Sequence, residues 1–434
     1  TYFFQDSSCR TAKQRLRRVL HWGPLIALFI IFYIAIYTSR LLLIWWPPLK
    51  SHSNLLHVAV YALEYYLVMS TYLKAMFWGP GFVPIGWRPI DLTDDQQLKS
   101  LLQWCSICKG YKAPRSHHCS RCGRCVTKMD HHCPWINACV GHRNHAQFTY
   151  FLLFAPLGCL HSAVIVSYCV YYTLFYPFYH QDSEFPTEDY AMMNLWEVLL
   201  AFFCLGLALG TTIAVGALFF VQLKSILRNR TGIEFWICDK ADYRLECRHD
   251  SMTAHLSIDE AGQPPKFQYP YDLGRMRNFK QVINWSGRPV GNGLDDWPLA
   301  PDCGKYDLTK EQVLQKAHKA STAVLASVIR AYTGTRFPIS FGLRTACCQP
   351  CSIWIEEKRL SLSPGQRLIV TRAHGEWLYG QLLLADEQSQ SARDASASRG
   401  WFPKKCAMEH WIDSAAATAG DNGGNGLVKD KKVQ

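Results

Sequence analysis

Read for hydrophobic and polar positions alone, the chain alternates between long apolar runs and polar, densely patterned intervals. A first apolar run extends from Pro24 to about Trp46, long enough to cross a bilayer as a helix rising ~1.5 Å per residue. It closes on Trp45-Trp46-Pro47-Pro48, interfacial aromatics followed by a helix stop. A second run, about Leu55 to Phe77, ends at Trp78-Gly79-Pro80-Gly81. A third begins at Phe148 and reaches about Tyr176, with Pro156 expected to kink it. The fourth, about Leu195 to Leu223, contains Gly206 and Gly210 at a small-xxx-small spacing that permits close helix packing. The pattern predicts an α-helical membrane protein built on a bundle of four transmembrane helices.

Charge orients the bundle. Arg10, Lys13, Arg15, Arg17 and Arg18 precede the first run, and Lys224, Arg228 and Arg230 follow the fourth. The loop at 177–194 holds Asp182, Glu184, Glu188 and Asp189 without a lysine or arginine. Basic flanks stay in the cytosol, so both termini are expected there. Arg40 and Glu64 lie inside the first two runs at similar depth, roughly 9 and 14 Å from the lumenal ends. Direct pairing and independent snorkelling are the two expectations for them.

Composition agrees with a membrane class. Of 434 residues, 49% are hydrophobic and 18% charged, and the apolar ones are bunched in runs rather than spread over one soluble core. The net charge of +12 sits largely beside those runs, so it reads as orientation and not as a nucleic-acid surface. The first run is too long for a cleavable signal peptide and lacks a small-residue cleavage site.

Candidate chemistry is concentrated in Cys105–Cys139, where seven cysteines and four histidines occur. The pairs Cys105/Cys108, Cys119/Cys122 and Cys122/Cys125 have the spacing that lets two thiolates grip one tetrahedral zinc. Six cysteines and two histidines fill two closed sites and leave one thiol over. Cys133 is the candidate, because Asp130, His131 and His132 precede it. A spare thiol beside a histidine and a carboxylate is the arrangement for a thiolate nucleophile. Such zinc clusters imply a reducing, cytosol-facing setting.

Asp130-His131-His132-Cys133, followed by Pro134-Trp135, Asn137, Cys139-Val140-Gly141 and Asn144, resembles the DHHC protein S-acyltransferases, membrane enzymes that attach palmitate to cysteines. The resemblance implies that Cys105, Cys108, His118 and Cys125 hold one structural zinc and Cys119, Cys122, His132 and Cys139 the other. It implies acyl-CoA as donor, and as acceptors proteins with cytosolic cysteines near the membrane. It also implies an acyl-chain cavity among the helices, with Trp135 near its mouth and Gly158 where the family closes its far end with a side chain. Thr231-Gly232-Ile233-Glu234 falls at the family's Thr-Thr-x-Glu motif, with Gly232 in place of the second threonine, so that hydroxyl is missing. Asn278 resembles the anchor of the family's C-terminal segment.

Beyond the bundle, Leu360–Val370, Trp377–Gly380 and Gly400–Pro403 read as short strands. They resemble an SH3-like small β-barrel that serves as a docking module for a protein partner. Cys347, Cys348 and Cys351 on that domain are candidates for S-acylation, which would draw it to the membrane. Residues 413–434 are small, polar and Gly-rich, and carry Lys431-Lys432. That pair resembles a dilysine retrieval signal, which with the SH3-like domain is similar to the endoplasmic-reticulum subtype of the family. The expected domains are 1–78 (N-terminus and two spans), 79–147 (cysteine-rich zinc domain), 148–223 (two further spans), 224–330 (juxtamembrane segment), 331–412 (SH3-like) and 413–434 (tail). The rival function is a zinc-stabilised membrane scaffold without catalysis, which would not need an intact Asp-His-Cys.

Overall fold

The computed structural model describes residues 12–179, 193–253, 263–284, 287–321, 323–335, 338–347, 359–383 and 399–410. Of the candidate S-acylation sites, Cys348 and Cys351 lie outside these, and for Cys347 only the backbone is described. Lys431-Lys432 also lies outside them. The chain divides into two units, residues 1–313 and 314–434.

In the first unit, a short basic helix α1 (Ala12–Val19) leads into α2 (Trp22–Trp45), and α3 (His52–Phe77) returns beside it. The hairpin is held at one end by Asn54 Nδ2 donating to Pro47 O at 3.1 Å. At the other, Arg18 Nη1 donates to Met76 O at 2.6 Å. Helix α4 (Asp95–Leu101) precedes three two-stranded hairpins: β1 (Trp104–Cys105) with β2 (Gly110–Tyr111), β3 (His117–Cys119) with β4 (Arg124–Val126), and β5 (His131–Cys133) with β6 (Ala138–Val140). Two long helices follow, α5 (His145–Tyr179) and α6 (Leu195–Leu227). Then come α7 (Gly232–Thr253) and a shorter helix at Arg275–Val282; the helix Asp307–Ser321 runs across the boundary between the units.

Among the described residues, α2, α5 and α6 are long and apolar enough to cross a membrane. Helix α3 has the length, with 26 residues, but Glu64, two histidines, Lys74 and several hydroxyls lower its hydropathy. The assigned α5 runs unbroken through Pro156. Apolar faces of α2, α3, α5 and α6 meet in a core around Leu41, Leu42, Tyr61, Val166, Cys169, Ala201 and Cys204.

The charges within α2 and α3 pair otherwise than with each other. Arg40 bonds Glu197, which sits in the first turn of α6 in a capping box with Asn194. Glu64 bonds His161 at 2.7 Å. A carboxylate on α6 thus reaches Arg40, and Glu64 faces α5. Gly206 and Gly210 also differ from expectation: a Cβ on either would meet nothing within 4 Å. They line a cavity and do not serve as a close-packing seam.

The second unit carries a five-stranded antiparallel sheet in the order β10-β9-β8-β7-β11. Its strands are β7 (Val324–Val328), β8 (Arg367–His374), β9 (Trp377–Leu383), β10 (Arg399–Pro403) and β11 (Ala407–His410). Strand β7 begins before the predicted β region. Its core holds Trp377, Leu378, Leu368 and Phe402, each no more than 1% exposed. Trp377 donates its indole N–H to Thr345 O at 3.1 Å, so its polar edge is satisfied within the unit.

Candidate active site

Strand geometry sorts the histidines. In β5 (His131–Cys133) successive side chains point to opposite faces, so His131 and Cys133 share one side and His132 the other. Pairing with β6 sets His132 opposite Cys139. The β3/β4 hairpin likewise sets His118 opposite Cys125. Each hairpin therefore contributes a histidine and a cysteine, and a Cys-x-x-Cys turn completes the set of four.

In the first cluster, His118 Nδ1 lies 3.4, 3.5 and 3.8 Å from the sulfurs of Cys105, Cys108 and Cys125. In the second, His132 Nδ1 lies 3.6 Å from each of Cys119, Cys122 and Cys139. Four ligands around a tetrahedral zinc are separated by about 3.5 Å between nitrogen and sulfur, so both clusters fit a metal ion. Backbone N–H groups also point at ligand sulfurs: Cys108 N to Cys105 Sγ at 3.5 Å, and Cys122 N to Cys119 Sγ at 3.4 Å. Such bonds favour thiolates. His117 pairs across from Val126 instead, and burial holds its imidazole low, at about 4.

Cys133 belongs to neither cluster. It is 5% exposed and packs with Tyr72, Ile136, Phe148 and Leu152 where the hairpin meets the helices. His131 Nδ1 bonds Asp130 Oδ2 at 2.7 Å. Burial disfavours the imidazolium, but Asp130 and then Cys133 outweigh it and raise the His131 pKa to about 10. Burial likewise pushes Asp130 up, and His131 with the Gly232 N–H brings it down to about 2. The arrangement sets an imidazole, oriented by a carboxylate, beside a thiol, as a general base requires.

The segment after Cys133 is wedged among the helices. Tyr72 donates its hydroxyl to Trp135 O at 2.9 Å, and the Trp22 and Trp135 rings meet edge-on at 5.6 Å. A Cβ on Gly23 would lie 2.1 Å from Pro134 O, so only glycine allows α2 to start there. Asn144 ties the strand to α3, donating to Ala75 O at 2.9 Å and Cys139 O at 3.0 Å. Asp130, His131, Cys133 and Trp135 line the mouth of a cavity of about 670 Å³. It continues past Tyr72, Phe151, Val68 and Gly158 to Tyr61 and Ser162.

The C-terminal residues converge on the same place. Gly232 N donates to Asp130 Oδ1 at 2.8 Å, so the backbone makes the contact for which no hydroxyl is present. Glu234 is fully buried and takes Arg115 Nε at 2.6 Å and Nη2 at 2.8 Å, with Thr231 N at 2.9 Å. Burial pushes the Glu234 carboxyl up, but Arg115 outweighs it and holds the group at about 2. Arg115 also reaches Asn229 O at 2.7 Å and lies over the Tyr271 ring at 4.5 Å and the Trp297 ring at 4.9 Å. Asn278 donates to Leu227 O at 2.9 Å and accepts from Leu273 N. Arg115, Asn229, Tyr269 and Lys128 escaped the sequence reading. Nothing in periodicity or spacing marks them, since their partners lie up to about a hundred and fifty residues away.

The profile of the DHHC palmitoyltransferase family matches residues 99–239. Over 403 residues the chain is 43% identical to palmitoyltransferase ZDHHC6 of Bos taurus, covering 91% of this chain and 92% of that protein. It is 42% identical to palmitoyltransferase ZDHHC6 of Homo sapiens over 407 residues, with the same coverage. Probable protein S-acyltransferase 16 of Arabidopsis thaliana is 29% identical over 57% of this chain and 82% of its own length.

Proposed function

Because the chain belongs to the DHHC palmitoyltransferase family, and is thereby a protein S-acyltransferase, we propose that Cys133 carries the acyl group, with Asp130 and His131 as its activating pair. The observation that carries this assignment is the Asp130–His131 bond beside a non-ligand cysteine at the mouth of a membrane cavity. Asp130 accepts from His131 Nδ1 and orients the ring. His131 takes the Cys133 proton, and the thiolate attacks the thioester carbonyl of acyl-CoA. The tetrahedral adduct expels the CoA thiolate, which takes the proton back from His131. In the second half, His131 deprotonates an acceptor cysteine, which attacks acyl-Cys133 and releases its thiolate. One thioester is exchanged for another each time, so no nucleotide is consumed.

Two zinc ions at the Cys₃His clusters would hold the β3/β4 and β5/β6 hairpins in register, with four protein ligands and no open position. The cavity from Cys133 to Tyr61 would receive the fatty chain, with Trp135 at its mouth and Gly158 along its wall. Helix α3 is read as a fourth span, because its ends coincide with those of α2. That gives four spans, with both termini on the cytosolic side. Thr231, Glu234 and Asn278 are read as positioning residues that hold the C-terminal segment against Asp130. The sheet of the second unit is read as an SH3-like module for a protein partner, with its cysteines at 347, 348 and 351 as acylation candidates. Location in the endoplasmic-reticulum membrane rests on the likeness to that subtype and on Lys431-Lys432.

A single-turnover assay tests the assignment. Palmitoyl-CoA and enzyme should release CoA before any acceptor peptide is added. That burst should vanish in His131→Ala while metal content is unchanged; a burst of undiminished rate would remove His131 from the mechanism.

A further inference from the structure

Gly158 does not close the cavity. A side chain there would first meet Val68, at 3.8 Å from the Cβ. Helix α3 runs away from the mouth, from Tyr72 at Trp135 O through Val68 to Glu64 and Tyr61. Glu64 is one turn past Val68, ~6 Å deeper. At that level α3 and α5 are joined by polar pairs: Glu64 with His161 at 2.7 Å, and Tyr61 with Ser162 at 3.0 Å. Glu64, Tyr61 and Ser162 line the cavity. His161 braces Glu64 from behind and is met in turn by His57 Nε2 at 3.1 Å. A largely apolar cavity therefore takes in a carboxylate and two hydroxyls at this level.

We propose that Glu64, braced by His161, is a specificity-determining residue that sets how far an acyl chain enters, through a polar floor rather than a bulky stop. The proposal rests on the reading of the cavity as the acyl-chain site. Each methylene buried between Cys133 and this level strengthens binding about fourfold. A methylene pushed against the Glu64–His161 pair gains no apolar contact and strips a polar group of its remaining partners. A chain ending in a hydroxyl, by contrast, finds acceptors and donors at that level. The floor thus selects chains up to its depth and tolerates a polar terminus there.

The test is competition for Cys133 auto-acylation by the full chain in detergent micelles, using palmitoyl-, stearoyl-, arachidoyl- and ω-hydroxystearoyl-CoA. In the wild type, competition should stop improving once the chain reaches the floor, and the terminal hydroxyl should cost little. Glu64→Met, apolar and of similar volume, should raise the arachidoyl-to-palmitoyl ratio about fourfold or more. It should also make the ω-hydroxyl cost about tenfold. A Met variant that takes palmitoyl normally with both ratios unchanged overturns the proposal. Should that variant fail to fold, the wild-type series decides: an ω-hydroxystearoyl donor about tenfold weaker than stearoyl would show an apolar floor. Competition blind to chain length altogether would remove the cavity reading, and the proposal with it.

Discussion

The backbone amide of Gly232 donates to Asp130 Oδ1 at 2.8 Å, across 102 positions of sequence. The other carboxylate oxygen of Asp130 holds His131. The start of α7 thus fixes the carboxylate that orients the imidazole. A Cβ at 232 would sit 3.8 Å from the same oxygen, so a side chain fits and the N–H is what matters. Gly232→Ala should leave acyl transfer within about twofold. Gly232→Pro keeps a residue tolerated in a helical first turn but deletes the donor. Losing a hydrogen bond to a charged group should then slow transfer by about 10- to 100-fold. Turnover of the two variants under saturating acyl-CoA checks this.

The buried Arg115–Glu234 pair should make stability acid-sensitive. Glu234 is held at about 2 against an ordinary value of 4.5, so the unfolded chain binds a proton more readily than the folded one. The stabilisation is therefore complete above about pH 4.5 and drains away as pH falls toward 2. Glu234→Gln leaves Arg115 buried without its counter-charge and should cost ~3–5 kcal/mol. Thermal unfolding followed from about pH 5 down to about pH 2, the window set by the ordinary and the folded-state values of this carboxyl, should slope for the wild type and be flatter for the variant.

Metal content separates the ligand cysteines from the spare one. Cys119→Ser should lose one metal equivalent and destabilise the hairpins, since metal binding there is folding free energy. Cys133→Ser should keep both equivalents, because its thiol is in neither cluster. Elemental analysis of the purified proteins decides it, and a lost equivalent in Cys133→Ser would contradict the ligand assignment.

Gly158→Phe should shorten the preferred acyl chain. The ring would project beside Val68, one turn short of the Glu64 level, removing ~6 Å of cavity depth. Competition between myristoyl- and stearoyl-CoA should tilt toward the shorter donor. An unchanged preference would leave residue 158 without a role in chain measurement.

Much of this site was legible in the chain because its chemistry is local. Cysteine spacing and the Asp130–Cys133 run mark two clusters and one spare thiol. Choosing His132 over His131 needed either the family likeness or the knowledge that 131–133 is a strand, whose alternation puts His132 beside Cys139 and leaves His131 with Cys133. What spacing could not supply is long-range. Arg40 meets Glu197 rather than Glu64 because α6 begins beside it. Arg115 meets Glu234 over 119 positions, and neither residue has a periodic signature. Strand β7 lies outside the predicted β region because Ala and Ser interrupt its apolar pattern.

The central claim is that Cys133 carries the acyl group, and intact-protein mass spectrometry after incubation with palmitoyl-CoA tests it most directly. The wild type should gain one palmitoyl mass on the Cys133 peptide, removed by neutral hydroxylamine as a thioester requires. Cys133→Ser should gain none there and transfer nothing to an acceptor cysteine, with both metal equivalents retained. Full transfer activity in Cys133→Ser, or a palmitoyl group that resists hydroxylamine, would contradict the account.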